Sequence, residues 1–245
     1  MGSAVPRLDV LLARNLNYSR TAAARLIQAG RVRDGAGRVL DERRAEIGPD
    51  ALPATVVIDD ERRLALHDVV HLMLNKPLGV VTALRDERHP TAFALVQAAP
   101  LAAELRAVGR LDLDTSGLLL WTTDGQWVQR LTHPKRQIPR TYQAALARPF
   151  GKIPADFALD DGHRPNVTAL EMIDQSALHP SLATPADAAV WAQITVVGGA
   201  YHEVRRIFAA LGSHVLALCR TAFGRLALPN DLAPGAHVSV DLTTV

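Results

Sequence analysis

Around His71 the chain changes its hydrophobic rhythm, and that change limits its possible folds more than any other feature. Before this point Leu8, Leu11, Leu12 and Leu16 recur at helical spacing, and Ala22, Ala23, Leu26 and Ile27 repeat the pattern. After it the apolar residues gather in short β-type runs at 72–74, 80–82, 118–122, 142–146, 190–197 and 215–218. Helical patches lie between these runs at 126–131 and 202–211. Asp124 is placed to cap the first, whose Trp127, Val128 and Leu131 share a face. In the second, Val204, Ile207, Phe208 and Leu211 share a face and Gly212 closes it. Many strands with few helices predict an α+β protein: a small N-terminal αα plus β-hairpin domain, then a mixed or antiparallel sheet with flanking helices. The expected division is a first domain over 1–62, a linker over 63–69 and a larger domain over 70–245. The linker reading rests on Gly48-Pro49, Pro53 and the charged run Asp59-Asp60-Glu61-Arg62-Arg63, which follows a short strand at 55–58.

Composition excludes several classes. With 48% hydrophobic and 21% charged residues the chain is not globally disordered. No apolar run approaches the roughly 20 residues of a membrane span. Met1 to Pro6 lead into Arg7-Leu8-Asp9 without an apolar leader, which predicts a cytoplasmic protein. Cys219 stands alone, so no internal disulfide or cysteine-based zinc site forms, and it reads as a small buried hydrophobe. His67 and His71 are the only histidines at i,i+4, in a segment that does not read as helix, so no metal is expected. Gly35-x-Gly37 lacks the lysine and following helix of a phosphate loop.

Net charge is only +2, but it is unevenly placed. Within residues 1–33, Arg7, Arg14, Arg20, Arg25, Arg31 and Arg33 stand against Asp9 alone. Ser19 is placed to cap a second helix that Gly30 ends, and Asp34-Gly35 with Gly37 marks a turn. Arg7-Leu8-Asp9, Ser19-Arg20, Ala24-Arg25, Leu26-Ile27 and Gly30-Arg31-Val32 resemble the S4 RNA-binding module over residues 7–60. The sequence departs from that pattern at Arg33-Asp34-Gly35. The resemblance implies RNA contacts from Arg7, Arg20, Arg25, Arg31 and Arg33.

The most informative stretch is Gly109-Arg110-Leu111-Asp112-Leu113-Asp114-Thr115-Ser116-Gly117, a polar loop that enters the apolar run Leu118-Leu119-Leu120. Two aspartates at a strand mouth are candidate catalytic carboxylates on a rigid frame. Asp114-Thr115-Ser116-Gly117 alone matches the short aspartic-protease signature, which requires a second such loop from a dimer. The longer string, with Thr122, Asp124 and Gly125, resembles the catalytic motif of the RsuA/RluA-type pseudouridine synthases. Asn75-Lys76-Pro77-x-Gly79, Arg140-Thr141-Tyr142, Tyr201 to Gly212, Arg220 and Phe223-Gly224 follow that family's order across nearly the whole chain.

The resemblance implies a cofactor-free isomerisation of uridine to pseudouridine on a flipped base. By motif position Asp112 is the catalytic carboxylate, and Tyr142 stacks on the base. A helical wheel on Val204 puts Arg205 on the flank of the apolar face and Arg206 at the solvent pole. Arg205 is therefore expected to pair with Asp112, and Arg206 to touch RNA or water. Arg110 is expected to position the loop, a phosphate or the flipping base. Arg140 stands where the family often has lysine, as a further substrate contact. Tyr201-His202 and Asp124 to Trp127 lean toward the branch acting on small-subunit 16S ribosomal RNA, within or before the assembling subunit. Large-subunit 23S RNA is the alternative, and a non-catalytic RNA-binding or ribosome-assembly protein is the rival class. A single S4-like module flexibly linked to the catalytic domain suggests a monomer with no membrane partner.

Overall fold

A computed structural model describes residues 5–245. Residues 1–4, which include part of the expected leaderless start, lie outside the described residues. The fold is α+β and divides into two compact units: residues up to Val70 together with Ala98–Leu105, and His71–Gln97 together with Arg106–Val245.

The first unit opens with α1 (Leu8–Leu16) and α2 (Arg20–Gln28). Asn17 turns the chain out of α1 in the left-handed conformation, and the Ser19 hydroxyl accepts the Ala22 N–H to start α2. Gly30, at φ +67, ends α2 where a side chain would be strained, and the Arg31 N–H returns to the Leu26 carbonyl. The helices bury Leu8, Leu11, Leu12, Ala23 and Ile27 against an antiparallel sheet of β1 (Val32–Asp34), β2 (Ala54–Ile58) and β3 (Arg62–Leu66).

The 34–37 turn joins two short arms as expected: Arg33 bridges Val39, the Asp34 N–H donates to the Arg38 carbonyl at 2.9 Å and the Leu40 N–H to the Val32 carbonyl at 2.8 Å, and β1 pairs with β2 on its other side. One expectation needs correction here. The segment expected as linker, 63–69, is mostly strand. Leu64 and Leu66 pack on the first core, but the flanking Arg62 and Arg63 hide their period-two pattern from a reading by composition. Ala98–Leu105 also belongs to this unit, where the Arg14 guanidinium binds Glu104 at 2.8 Å and Asp68 at 2.6 Å. A single flexible linker is therefore not how the chain is organised.

The second unit is built on a nine-stranded sheet. Its strands are β4 (His71–Lys76), β5 (Arg106–Val108), β6 (Thr115–Thr122), β7 (Pro139–Leu146), β8 (Asn166–Ile173), β9 (Val190–Val197), β10 (Val215–Phe223), β11 (Leu226–Ala227) and β12 (His237–Ser239). The order is β12-β4-β6-β10-β7-β9-β8, with β5 on β6 and β11 on β10. Among the described strands only β6 and β10 pair in parallel. Every residue of β6 is buried, as a central strand covered on both faces requires.

Alternation along β7 and β10 sorts two cores. Ala144, Leu146 and Leu218 pack with α4 (Glu203–Ala210), whereas Ala145, Ala217 and Cys219 pack with Leu131 of α3 (Gly125–Thr132). The Asp124 cap of α3 and the Val204, Ile207, Phe208 and Leu211 face of α4 form as the sequence predicts. Residues 80–82 do not form a strand. Val81 makes a lone bridge to Thr91, and Thr82 turns its hydroxyl to the loop before β6.

Candidate active site

The loop ahead of β6 is held from three sides. The Thr82 hydroxyl donates to the Leu111 carbonyl at 2.8 Å and accepts the Leu111 N–H at 3.1 Å. The Gly79 N–H donates to the Leu113 carbonyl at 2.9 Å, and the Thr115 N–H donates back to the Asp112 carbonyl at 3.1 Å. Pinned on both sides, Asp112 keeps its carboxylate 40% exposed at the lip of a cleft of about 710 Å3. The cleft lies wholly within the second unit.

Arg110, Asp112, Arg140, Tyr142 and Arg205 all line this cleft, although they come from a loop, β7 and α4. Arg206 does not line it. The Arg205 guanidinium binds the Asp114 carboxylate at 2.9 Å and the Asp114 carbonyl at 3.0 Å, with a further bond to the Val215 carbonyl at 3.2 Å. The expected Arg205–Asp112 pair is therefore corrected to Arg205–Asp114. The wheel correctly put Arg205 on the flank, but Asp114 is also at the strand mouth and takes the guanidinium first. Asp114 is thus held by a cation within this chain.

The side chain nearest the Asp112 carboxylate on α4 is His202, with Nε2 at 3.6 Å. His202 sits in the left-handed conformation at the start of α4, with its ring stacked on exposed Tyr201 at 3.8 Å. Arg206 is not free at the solvent pole. A loop over 159–163 covers it, and Asp160 and Asp161 both bind its guanidinium. A wheel drawn on one helix cannot see that loop. The same loop brings His163 to 2.8 Å from the buried Glu203 carboxylate.

Beneath the loop, Lys76 is fully buried and donates to the Pro77 and Val80 carbonyls at 2.9 and 2.7 Å. Burial pushes its ammonium down to about 8, against the pull of Asp112 and Asp114. Arg140 lies over the Phe223 ring, with its carbon 5.0 Å from the centroid. Burial lowers its pKa, neighbouring Arg220 pushes the same way, and Tyr142 and Glu203 oppose both.

Sequence reasoning gave no role to His202, Lys76 or Arg220. The available signal for Lys76 and Arg220 was a charged residue inside an apolar strand, since a buried polar group is the informative exception.

The basic edge of the first unit is largely neutralised. Arg7 binds Asp9 at 2.7 Å, Arg20 approaches the same carboxylate at 3.7 Å, and Arg31 and Arg33 bind Asp59 and Asp60. Arg25 alone of the five has no ion pair among the described residues. The count over 1–33 stopped short of the acids that fold back: residues 1–70 carry eleven arginines and ten acids. Among the described residues no group of three or more potential metal ligands occurs, and no helix is long and apolar enough to cross a membrane.

Comparison with known proteins points to one family. The family described as RNA pseudouridylate synthase matches residues 70–210. The chain is 33% identical over 231 residues to the ribosomal small subunit pseudouridine synthase A of Escherichia coli (strain K12), covering 94% of each. It is 35% identical over 237 residues to the protein of that name from Yersinia pestis, covering 94% of this chain and 93% of that one. A crystal structure of a pseudouridylate synthase superposes with a TM-score of 0.56 at 29% identity, over 97% of this chain and 96% of that one.

Proposed function

Since the chain belongs to the RNA pseudouridylate synthase family, we propose that it isomerises a uridine of small-subunit 16S ribosomal RNA to pseudouridine, with Asp112 as the catalytic carboxylate. The observation that carries this reading is the meeting of Asp112, Tyr142, Arg110, Arg140 and Arg205 in one cleft. The names of the relatives at 94% coverage support 16S RNA over 23S RNA.

A flipped uridine enters with its sugar toward the lip and its base against Tyr142. The Asp112 carboxylate serves one of two routes. In one it attacks C1′, the N1–C1′ bond breaks, and uracil leaves as its anion. The uracil turns, C5 attacks C1′, and the carboxylate departs. In the other the carboxylate removes the 2′ proton as the N1–C1′ bond breaks, and C5 adds to the resulting glycal, which regains the proton. In both, the C5 proton is lost and N1 gains one, so the sum is an isomerisation without a redox partner or cofactor. The Tyr142 phenol is the group placed to help move the C5 proton. Arg205, tied to Asp114, fixes the end of the loop and adds positive charge. Arg110 is exposed and available to a phosphate. Arg206 supports α4 through Asp160 and Asp161.

The first unit, read as an S4-like RNA-binding domain, supplies phosphate contacts from Arg25 and from arginines released by their exposed acidic partners. The protein is read as a cytoplasmic monomer, which light scattering of the purified chain checks. Carbodiimide-adduct primer extension on 16S and 23S RNA tests the activity. A new stop at one 16S uridine, absent with Asp112→Asn, is the expected result. No stop on either RNA, naked or in assembling particles, would leave a non-catalytic RNA-binding protein.

A further inference from the structure

Among the described residues, seven buried side-chain polar atoms have no hydrogen-bond partner, and four of them belong to cleft-lining residues: Thr115 Oγ1, Glu203 Oε2, Arg205 Nε and Arg220 Nη2. Each unmet group costs about 1–3 kcal/mol, so unmet polar groups are expected to be few and dispersed. Their concentration in one cleft marks a surface shaped for a polar guest.

Arg220 is the most constrained of the four. The residue is 2% exposed and makes no ion pair among the described residues. Nε donates to the Leu118 carbonyl at 2.7 Å, and the guanidinium carbon lies 5.4 Å from the Phe223 centroid. Strand geometry fixes where the guanidinium stands. On β10, Leu218 packs toward α4 and Cys219 away from it, so Arg220 returns to the α4 side.

Directly across the antiparallel pair from Arg220 is Tyr142. Such facing residues have Cβ atoms roughly 4.5–5.5 Å apart and project together. Gly117 permits this placement: at φ +102, a Cβ there would meet the Arg220 carbonyl and amide, so only glycine lets β6 press close enough to present the Leu118 carbonyl. A planar base lying on Tyr142 thus has its edge at Arg220.

We propose that Arg220 reads the base, its unpartnered Nη2 donating to the 4-carbonyl oxygen of the uracil that lies against Tyr142. A guanidinium carries only donors. Uracil answers it with an acceptor at position 4, and cytosine presents an amino donor there, leaving two buried donors opposed. This inference rests on the reading that the cleft takes a flipped uridine.

The test is equilibrium binding of four ligands to the full chain: uridine monophosphate, cytidine monophosphate, uridine, and the uridine analogue lacking the 4-oxygen. Wild type should prefer the uracil nucleotide over the cytosine one by about tenfold or more, and should lose a similar factor with the 4-deoxy analogue. In Arg220→Met both preferences collapse, with uridine and its monophosphate losing affinity equally. Loss confined to the monophosphate would mean that Arg220 holds phosphate instead. Equal affinities across the four in wild type, including none at all, overturn the proposal. Should Arg220→Met not fold, the wild-type comparison of uridine with its 4-deoxy analogue decides alone. Primer extension separates the failures: an enzyme that modifies RNA yet binds the ligands indifferently sinks only the role of Arg220, and one that modifies no RNA sinks the reading beneath it.

Discussion

The Arg205 guanidinium closes on the Asp114 carboxylate at 2.9 Å, which leaves Asp112, two residues earlier on the same loop, without that arginine and with the His202 ring 3.6 Å away. The two aspartates are thereby given separate work. Asp112→Asn should lower turnover by about a thousandfold or more without changing the melting temperature. Asp114→Asn and Arg205→Met should each lower it by roughly tenfold to a hundredfold, and the double variant should be no worse than either alone. Single-turnover kinetics on the four proteins measure this. Additive losses would show that Asp114 and Arg205 act independently.

Lys76 gives the fold a pH signature. Because its pKa falls from 10.5 to about 8, the unfolded chain between those values holds a proton that the folded chain has released. Unfolding then takes up protons, so unfolding free energy rises with pH across that window, by at most about 3 kcal/mol. Below it both states are charged, and the folded state bears the full cost of a buried ammonium. Urea titrations of wild type and Lys76→Met at pH 7, 8.5 and 10 test this. The stability difference should move in favour of wild type as pH rises, and a flat difference would contradict the assignment.

Cys219 is fully buried, and burial pushes its thiol up to about 11. A thiol reagent should therefore label the native protein only as fast as it opens, and label it fully in denaturant. Rapid stoichiometric labelling of the folded chain would be the contrary result.

Gly117→Ala forces a methyl group to 2.3 Å from the Arg220 carbonyl in a conformation that already disfavours side chains. Separation of β6 from β10 should cost about 3 kcal/mol or more. Thermal melting reads the loss, and an unchanged midpoint would mean that the strands pass each other more loosely.

Releasing the arginines of the first unit should strengthen RNA binding. In Asp59→Asn with Asp60→Asn, Arg31 and Arg33 lose their partners and become available to phosphates. Affinity should rise, and the slope of log affinity against log salt should steepen by about one per arginine engaged. Filter binding across a salt series measures both. An unaltered slope would remove these two residues from the interface.

How much of this was legible beforehand depended on whether a feature is local. Ser19, Gly30 and Asp124 cap helices through neighbours within four residues, and the α4 face repeats within two turns, so sequence spacing was enough. The pairing of Arg205 is a choice between two carboxylates two residues apart, which only the loop path decides. β8 escaped notice because it is a largely exposed edge strand with a bulge between Val167 and Ala169, so neither alternation nor an apolar run marks it. Arg220 meets Tyr142 across 78 positions, a distance no local pattern spans.

The return of Ala98–Leu105 to the first unit means that its text is written in two places. A gene fragment ending at Val70 would encode Arg14 and Asp68 but not Glu104, and one starting at His71 would carry eight residues whose natural neighbours had been cut away. These two bodies cannot be exchanged between genes at a single breakpoint, so recombination at the charged run near Asp59 would break one body rather than trade it.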